Sequence, residues 1–489
     1  MAMDKERIER VVEEVVRRVT AAGAGAPGAG PSAPTGGSLF TEVDAAVKAA
    51  AQAQRELAEG GIPLRQKVIH AIREAGFEAA APLARMAAEE TQMGRAEHKV
   101  LKNQTAARMT PGLEALKREV LQGDRGVTVV WGAAWGVIAA ICPCTNPTAT
   151  VINNSISMVA AGNGVVFAPH PAANRSTNEA VSILDAAIIA CGGPAKLVCS
   201  IAKSSIETTT ALMNHPEVPL VCATGAAGVV RAAMTSGKKA IAAGPGNPPV
   251  VVDETADLKR AARDIVEGAY FDNDLPCVGE KEIIVVEAVA DALVRALQDA
   301  GAFLAPPSAE TRLTRTAVDG HRVKREMVGK NASVILNAAG VSAPAETKIG
   351  IFETNVDHPL VLEEQLMPIV PVLRARNFDQ AVAMAVKAER GYQHTALIHS
   401  RDAARISAFA RAIDTCIFVA NAPSYAWAGI EGQGYVTYTV GGPTGEGITC
   451  ACHFVKTRHF VMGSGFGPEG ISGPPGPAEA PGPWVVPGT

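Results

Sequence analysis

The chain has 489 residues, of which 47% are hydrophobic and 19% are charged. This length and composition suffice for about three globular domains with large apolar cores. The 45 basic and 49 acidic residues give a net charge of −4, which excludes the broad basic surface that binds nucleic acid or anionic membranes. No apolar segment approaches the roughly 20 residues of a membrane span, and no signal peptide is evident. Nine cysteines without framework spacing indicate free thiols, so we expect a soluble cytoplasmic protein.

Residues 1–20 predict a short amphipathic helix that stands apart from the rest of the chain. Its apolar residues recur at intervals of three and four, and pairs such as Glu6 with Arg10 occupy the other face. Residues 21–38 consist of Ala, Gly, Pro, Ser and Thr, which is typical of a flexible linker. A short valine-rich helix is marginal alone, so its apolar face needs a surface on the same protein or on a partner. The linker favours a partner.

The pattern that follows predicts helices and then two series of strands. The pattern is helical from residue 39 to about residue 112, with clear periodicity over 42–57, 64–75 and 80–93. Short apolar runs then alternate with helical stretches, as in doubly wound parallel sheets. The first series comprises 137–141, 165–168, 197–201, 220–223 and 240–243, and the second comprises 250–252, 283–286, 334–336, 370–373, 396–399 and 417–420. We therefore predict an α/β protein with two successive doubly wound domains.

Three loops at the carboxyl ends of the first series carry candidate binding groups, because ligands collect beyond these ends. Asn146 stands at the start of a helix, where N–H groups and the helix dipole favour a negative oxygen. His170 is held between two prolines. The run 223–228 contains small residues that let a phosphate approach the backbone. The G-x-G-x-x-G fingerprint does not occur at these strand ends.

Cys277 lies in a loop between a helix predicted over 258–270 and a strand predicted over 282–286. Reactive side chains commonly lie in loops on rigid scaffolds. Backbone N–H donors can lower the pKa of such a thiol enough for attack on a carbonyl carbon at neutral pH. The alternative is a small, half-buried apolar residue without chemistry.

Together these loops resemble the aldehyde dehydrogenase superfamily, from residue 39 to about 461. The matching motifs are Val-Cys-Ala-Thr-Gly at 221–225, Ala-Gly-Pro-Gly-Asn-Pro at 243–248, the Cys277 loop and Glu-Glu-Gln-Leu-Met-Pro at 363–368. Within that superfamily the chain resembles the coenzyme A-acylating branch. The motifs that carry this resemblance are Thr-Asn-Pro at 145–147, Pro-His-Pro at 169–171, Gln-His-Thr at 393–395 and Gly-Pro-Thr-Gly-Glu-Gly at 442–447. Leu-Pro-Cys at 275–277 is similar to acetaldehyde and propionaldehyde dehydrogenases of bacterial microcompartments, which also begin with a short helix and a linker.

The resemblance implies roles for individual residues. Cys277 is the expected nucleophile, and the side-chain amide of Asn146 is expected to hold the oxyanion together with the N–H of Cys277. Glu364 is expected to bind the nicotinamide ribose. The other implied cofactor-binding residues are Thr145, Pro169, His170, Thr224, Gly225, Gly228 and Gly244. For His170 and for His394, ligand contact and a purely structural role both stay open.

One departure from hydrolytic relatives concerns the step after acylation. Ala243 occupies the position of the glutamate that activates water in those relatives, so the resemblance implies transfer of the acyl group to coenzyme A. The expected reaction converts acetaldehyde or propionaldehyde, NAD and coenzyme A into acyl-CoA and NADH. Ala168 and Pro171 replace the adenosine-ribose ligands, so NAD is preferred over NADP by analogy alone. The alternatives are a hydrolytic dehydrogenase and a non-catalytic shell-binding scaffold.

The resemblance also divides the chain. It implies an encapsulation helix at 1–20, a linker at 21–38, a dinucleotide-binding domain at 39–249, a catalytic domain at 250–434, oligomerisation strands at 435–462 and a Gly/Pro-rich tail at 463–489. Residues 122–135 contribute to the oligomerisation arm, whose other strands are predicted over 435–440 and 449–459. A homodimer or homotetramer is implied, and the N-terminal helix is expected to bind shell or cargo proteins in a microcompartment of the bacterial cytoplasm.

We expect no metal site. Cys142 with Cys144, and Cys450 with Cys452 and His453, provide the usual ligand types. Each C-x-C spacing is tighter than the C-x₂-C loop typical of zinc sites, which argues against a metal ion.

Overall fold

The computed structural model describes residues 37–123, 125–320 and 322–463. The helix predicted over 1–20, most of the linker predicted over 21–38 and nearly all of the tail predicted over 463–489 lie outside these ranges. None of the helices within the ranges is long and apolar enough to cross a bilayer.

The helices alternate with strands through most of the chain. The α-helices are α1 (Val43–Glu59), α2 (Gly61–Glu78), α3 (Ala80–Thr91), α4 (Ala96–Met109), α5 (Pro147–Ala160), α6 (Asn174–Ala190), α7 (Ile206–Asn214), α8 (Ala227–Met234), α9 (Leu258–Tyr270), α10 (Glu287–Asp299), α11 (Glu310–Ala317), α12 (Ala332–Ala338), α13 (Pro359–Leu362), α14 (Phe378–Glu389) and α15 (Ala403–Ile413).

The strands form two large sheets and three small ones. They are β1 (Leu39–Phe40), β2 (Glu119–Gly123), β3 (Gly126–Ala134), β4 (Val137–Ile141), β5 (Gly164–Ala168), β6 (Val198–Ile201), β7 (Leu220–Thr224), β8 (Lys239–Ala243), β9 (Pro249–Val252), β10 (Glu282–Val286), β11 (Ala302–Leu304), β12 (Val318–Asp319), β13 (Arg322–Val323), β14 (Ile349–Glu353), β15 (Ile369–Ala375), β16 (Thr395–His399), β17 (Ile417–Ala420), β18 (Val440–Gly441), β19 (Gly447–Ile448) and β20 (Val455–Met462).

The first large sheet is parallel throughout and has the order β1-β6-β5-β4-β7-β8. Its central strands are continuous apolar runs because both faces are covered. Ile138 and Ala140 pack into one core, while Val137 and Ala139 pack into the core on the opposite face. The chain runs outward from β4 to one side and returns to β7 on the other. This reversal opens a crevice beyond the carboxyl ends of β4 and β7, where ligands bind in such sheets.

The second large sheet, β11-β14-β15-β10-β9-β16-β17, is also parallel. Val250 and Ile283 face one core, whereas Val251 and Ile284 face the other. The connection from β8 to β9 leads directly from the carboxyl edge of the first sheet to the amino edge of the second. The predicted α/β fold with two doubly wound parallel sheets is therefore confirmed.

The strand predicted over 334–336 is wrong, because these residues belong to helix α12. Ile335 and Leu336 are buried while Val334 is half exposed, a pattern that one turn of helix produces as readily as a short strand. Strands β11 and β14 were not predicted. Helix α4 lies inside the helical region predicted up to about residue 112, but it had no predicted bounds of its own, because Lys99, Lys102 and Asn103 on its inward face obscure the apolar spacing.

The predicted arm strands agree with the structure only in part. β2, β3 and β20 form an antiparallel sheet, and β20 pairs with β3 along its whole length. The strand predicted over 449–459 begins only at Val455, and 435–440 is irregular up to the start of β18. Residues 436–438 bond to a buried side chain instead of a neighbouring strand. Asn153 donates to the carbonyl of Val436 (3.2 Å) and accepts the N–H of Tyr438 (3.0 Å).

Asn163 fastens the three-stranded sheet to the first large sheet. Its side chain is fully buried and accepts the backbone N–H groups of Trp135 (2.7 Å) and Gly136 (3.1 Å). It also donates to the carbonyls of Met158 (3.1 Å) and Phe454 (2.9 Å). One amide thus satisfies backbone groups of four residues in three segments.

Asn163→Ala is expected to lower the free energy of unfolding by at least about 2 kcal/mol, since each buried group left unpaired costs about 1–3 kcal/mol. The urea midpoint of the full chain measures this effect. Asn214→Ala, at an exposed position, is the control and should leave the midpoint almost unchanged. Equal midpoints for the two variants would contradict the fastening role of Asn163.

Candidate active site

A cavity lies where the carboxyl edge of the first large sheet meets the amino edge of the second. Its volume of about 260 Å³ is just below the ~300–1,000 Å³ usual for ligand pockets, which suits a small substrate. It is lined by Pro143, Cys144, Thr145, Asn146, His170, Thr224, Gly225, Ala226, Ala243, Gly244, Pro245, Leu275, Pro276, Cys277, Val278, Glu364, Leu366, Trp427, Thr437, Tyr438 and Val440.

The structure brings most of the sequence-predicted site residues to this one cavity. Its lining includes Cys277, Asn146, Thr145, His170, Thr224, Gly225, Gly244 and Glu364. Pro169 and Gly228 are outside the lining: Pro169 precedes His170, and Gly228 lies in the first turn of α8. Their binding roles, like those of the lining residues, stay predictions.

Asn146 stands at the N-terminus of α5, directly after the turn that follows β4. Its Nδ2 donates to Oγ1 of Thr145 (3.1 Å), whereas its Oδ1 is buried without a hydrogen-bond partner in the described structure. Buried amide oxygens normally have a partner. A rotation of the amide by half a turn places the NH₂ group at that unpartnered position. The residue can thus present a donor to a developing oxyanion.

The loop that carries Cys277 begins with three consecutive left-handed residues. Asp272, Asn273 and Asp274 have φ angles of 53°, 57° and 55°. Such residues each cost about 1–3 kcal/mol and persist where surrounding contacts hold them. The side chain of Asn273 supplies two of these contacts, because its Nδ2 donates to the carbonyl of Gly329 (2.8 Å) and to Oδ1 of Asn331 (2.8 Å).

Asp272 is held by the first half of the molecule. Its carboxylate accepts the backbone N–H of Arg95 (2.7 Å) and the ammonium of Lys99 (2.9 Å), and it also contacts the ammonium of Lys102. Its own N–H donates to Nδ1 of His98 (2.8 Å). Asp272, Lys99 and Lys102 are all buried, so the charges are paired away from water.

Lys281 closes the other end of the loop. Its side chain is fully buried, and Nζ donates to the carbonyls of Asp274 (2.6 Å) and Pro276 (3.3 Å). Nζ also forms an ion pair with the carboxylate of Asp274 at 3.0 Å. The loop therefore folds around one ammonium group, which fixes the backbone on the N-terminal side of Cys277.

The pKa of Cys277 is raised, whereas the loop position in the sequence had suggested a lowered pKa. Burial raises the pKa of this thiol to about 12, and the negative charge of Glu364 adds to the effect. Lys281 and Lys102 act in the opposite direction but are weaker. The thiol is consequently protonated at neutral pH, and removal of its proton is a necessary part of any nucleophilic attack.

Glu364 and Gly246 bring the inter-sheet connection against the nucleophile. Oε1 of Glu364 accepts the N–H of Gly246 (2.9 Å), and burial raises the pKa of Glu364 to about 7. A Cβ on Gly246 would lie 2.5 Å from the carbonyl oxygen of Cys277 and 2.9 Å from the ring of His394. Only glycine allows this approach.

The two histidines are in different settings. His394 is buried, and its Nδ1 lies 2.8 Å from Oγ1 of Thr395; burial lowers its pKa to about 4, which keeps it neutral. His170 lines the cavity, and its Nδ1 accepts the N–H of Ala172 (3.1 Å). Burial lowers the pKa of His170 as well. Both rings are therefore uncharged at neutral pH.

Several contributors to the site were not found by sequence reasoning. Trp427 and Tyr438 line the cavity, and the hydroxyl of Tyr438 donates to the carbonyl of Lys102 (3.1 Å). Asp272 and Lys281 stand within five residues of Cys277. Two charged residues so close to a candidate nucleophile could have been recognised in the sequence as parts of the site. The partners of Asp272 in α4, Lys99 and Lys102, are remote in sequence and carry no such signal.

Comparisons with known proteins agree with this geometry. The chain matches the aldehyde dehydrogenase family over residues 38–442. It is 42% identical over 456 residues to the propanal dehydrogenase (CoA-propanoylating) of Salmonella typhimurium, covering 93% of this chain and 98% of that relative. The chain therefore belongs to the aldehyde dehydrogenase family, as the sequence motifs predicted.

Two solved structures extend the likeness to three dimensions. A propionaldehyde dehydrogenase from the fucose utilisation bacterial microcompartment of Clostridium phytofermentans shares 44% identity, with a TM-score of 0.86 over 87% of this chain and 98% of that one. The Rhodopseudomonas palustris propionaldehyde dehydrogenase, solved with bound CoA and an acylated cysteine, shares 44% identity with a TM-score of 0.85 and the same coverage.

Glu364→Gln is expected to speed alkylation of Cys277, because it removes the negative charge that helps burial to raise the thiol pKa. Each unit by which the thiol pKa falls makes the thiolate about tenfold more abundant at a given pH. In the wild type the rate should rise with pH through the neutral and alkaline range. Iodoacetamide labelling of the Cys277 peptide, followed by mass spectrometry across pH, measures both effects.

Glu363→Gln is the matched control, since it removes the same charge one residue away, where the side chain pairs with Arg390 at 3.1 Å. This variant should label at the wild-type rate. Equal labelling of the Glu364 variant and the wild type would contradict the electrostatic account of Cys277.

Proposed function

We propose that the protein oxidises a short-chain aliphatic aldehyde, acetaldehyde or propionaldehyde, with NAD and coenzyme A to give acyl-CoA and NADH. The observation that carries the proposal is the wall of the cavity beside Cys277. Ala243 is part of that wall, and Glu364, the one carboxylate of the lining, already accepts a backbone N–H. A thioester formed at Cys277 thus lacks the glutamate that activates water at this position in hydrolytic relatives. A thiol co-substrate is then the better acceptor.

The residues present fit a nicotinamide dinucleotide. The crevice between β4 and β7 is lined by Gly225, Ala226 and Gly244, and a Cβ at Gly228 would meet no atom within 4 Å. This open, small-residue surface leaves room for a pyrophosphate near the N-terminus of α8. Glu364 offers a carboxylate to a ribose hydroxyl. The dinucleotide, when bound, supplies the hydride acceptor.

The chain's own groups perform the covalent steps. The Cys277 thiol releases its proton to solvent and Sγ bonds to the aldehyde carbon, while the C=O π electrons pass to the oxygen, which the Asn146 amide and the Cys277 N–H hold as it becomes negative. One such donor is typically worth about 2.7–4 kcal/mol in the transition state. After oxidation the cysteine carries the acyl group as a thioester. The sulfur of coenzyme A then takes the acyl group and Cys277 is released.

NADH formation from propionaldehyde is expected to require coenzyme A, and Cys277→Ala should abolish it because the variant has no nucleophile. Cys191→Ala removes another half-buried thiol, outside the cavity, and should keep activity. Absorbance of NADH with and without coenzyme A, together with product analysis, provides the measurement. Equal rates without coenzyme A, yielding free acid, would identify a hydrolytic enzyme. An inactive wild type would favour the non-catalytic scaffold.

The proposed division of labour follows the two large sheets. Residues 39–249 bind the dinucleotide, residues 250–434 supply the nucleophile, and 122–135 with 435–462 form an oligomerisation arm. Exposed apolar side chains on the three-stranded sheet support the arm, and Phe460 (51%) and Val461 (68%) are among them. Burial of such side chains against another copy is favourable. The proposed assembly is a homodimer or homotetramer.

The proposed role of residues 1–20 is encapsulation in a microcompartment of the bacterial cytoplasm, through binding to a shell or cargo protein. Their amphipathic sequence pattern supports this role. The microcompartment origin of the Clostridium phytofermentans relative also supports it.

Deletion of residues 1–20 is expected to leave NADH formation unchanged while abolishing co-purification with shells when both are expressed together. The control replaces Glu6 and Arg10 by Gln, which keeps the apolar face and should retain encapsulation. Activity in the purified shell fraction gives the readout. Unchanged shell association of the deletion variant would contradict the encapsulation role.

A further inference from the structure

A second group of reactive side chains lies outside the cavity, at the turn that precedes β20. The ligand atoms of Cys450, Cys452 and His453 lie within 4.8 Å of one another. The two sulfurs are 3.3 Å apart, and Nδ1 of His453 is 3.5 Å from the sulfur of Cys452. From the sequence, the tight C-x-C spacing had argued against a metal site. The 3₁₀ turn over Ala451–Phe454 removes that objection, because it turns both sulfurs and the imidazole to one side.

The turn is anchored on both sides, so its side chains are held in place before any ligand binds. Oγ1 of Thr449 donates to the carbonyl of Thr439 (2.7 Å), and the carbonyl of Phe454 accepts Nδ2 of Asn163 (2.9 Å). Thr449 and Phe454 are fully or almost fully buried. A preformed arrangement lowers the entropy lost on binding. Cys452 itself is exposed, which gives a ligand access from solvent.

We propose that Cys450, Cys452 and His453 bind a single Zn²⁺ ion through both sulfurs and Nδ1 of the imidazole. Thiolate and imidazole are preferred zinc ligands, and three protein ligands leave a fourth tetrahedral position for water. Each thiol releases one proton as its sulfur binds the ion. Nδ1 accepts the N–H of Cys450 (3.0 Å), so coordination exchanges this hydrogen bond for a bond to the ion.

Two thiolates neutralise the doubly charged ion, so the bound site carries no net charge of its own. The other tight pair, Cys142 with Cys144, differs: Cys142 is buried in the core below β4 and its sulfur lies 4.0 Å from the carbonyl of Ala140.

The ion would connect the catalytic cavity to the three-stranded sheet. Thr437, Tyr438 and Val440 line the cavity, and Thr437 Oγ1 lies 2.8 Å from Oγ1 of Thr449, directly before the cluster. β20 begins directly after it, at Val455. Metal binding at the turn therefore stiffens the segment between the two.

The test uses the full chain, reduced and freed of metal, titrated with Co²⁺ as a spectroscopic probe. We expect thiolate-to-cobalt charge-transfer absorption and tetrahedral d–d bands that saturate at one ion per chain and disappear on addition of Zn²⁺. Cys452→Ser and His453→Ala should each weaken binding at least about tenfold, as loss of even an outer ligand contact commonly does. Cys277→Ala should bind like the wild type, which separates this site from the active-site thiol.

Two results would overturn the proposal. The first is an unchanged spectrum in Cys452→Ser, whose fold is checked by its urea midpoint. The second is a reduced chain that binds no ion and whose two sulfurs form a disulfide, detected by mass, once it is exposed to air. Because the signal does not depend on turnover, it stays interpretable even if the proposed aldehyde oxidation fails.

Discussion

The buried carboxylate of Asp272 is the interaction on which the arrangement of the site depends. It lies in the loop of the nucleophile, yet its partners Lys99 and Lys102 belong to α4, on the other side of the cavity. Burial alone raises its pKa, but the two ammonium groups lower it below its usual value. Loss of one partner from such a buried pair typically costs about 3–5 kcal/mol. The strained residues before Cys277 are therefore held by the half of the molecule that also carries Asn146.

Cys277 lies between a positively charged group within its own loop and a negatively charged group in the cavity. Lys281 lies beneath the loop, where its ammonium binds the carbonyls of Asp274 and Pro276. Glu364 faces the cavity and opposes ionisation of the thiol. A cationic ligand near Glu364, such as an oxidised nicotinamide ring, would offset that opposition. Binding of the oxidant would then favour the thiolate that the reaction needs.

The sequence was sufficient for the architecture and for most of the cavity lining, because apolar strand runs and loop motifs are local signals. Ends such as those of β4 and β17 were predicted to the residue. Helix α4 lies in the predicted helical region, but its bounds were not predicted, since Lys99 and Lys102 point inward, toward a carboxylate remote in sequence. The pKa of Cys277 depends on burial, which no local pattern reports. Cys450, Cys452 and His453 were rejected as a metal site because of their sequence spacing. Whether their ligand atoms lie close together depends instead on the geometry of the turn.

The connection between the two large sheets limits how the cleft can open. Only residues 244–248 separate β8 from β9, and two of them, Pro245 and Pro248, are stiff. Gly246, at the middle, is in close contact with the Cys277 loop and His394. A hinge motion at this point would move Gly246, which packs against the Cys277 loop. A rotation of one sheet against the other at this connection would therefore separate Gly246 from the Cys277 loop and from His394.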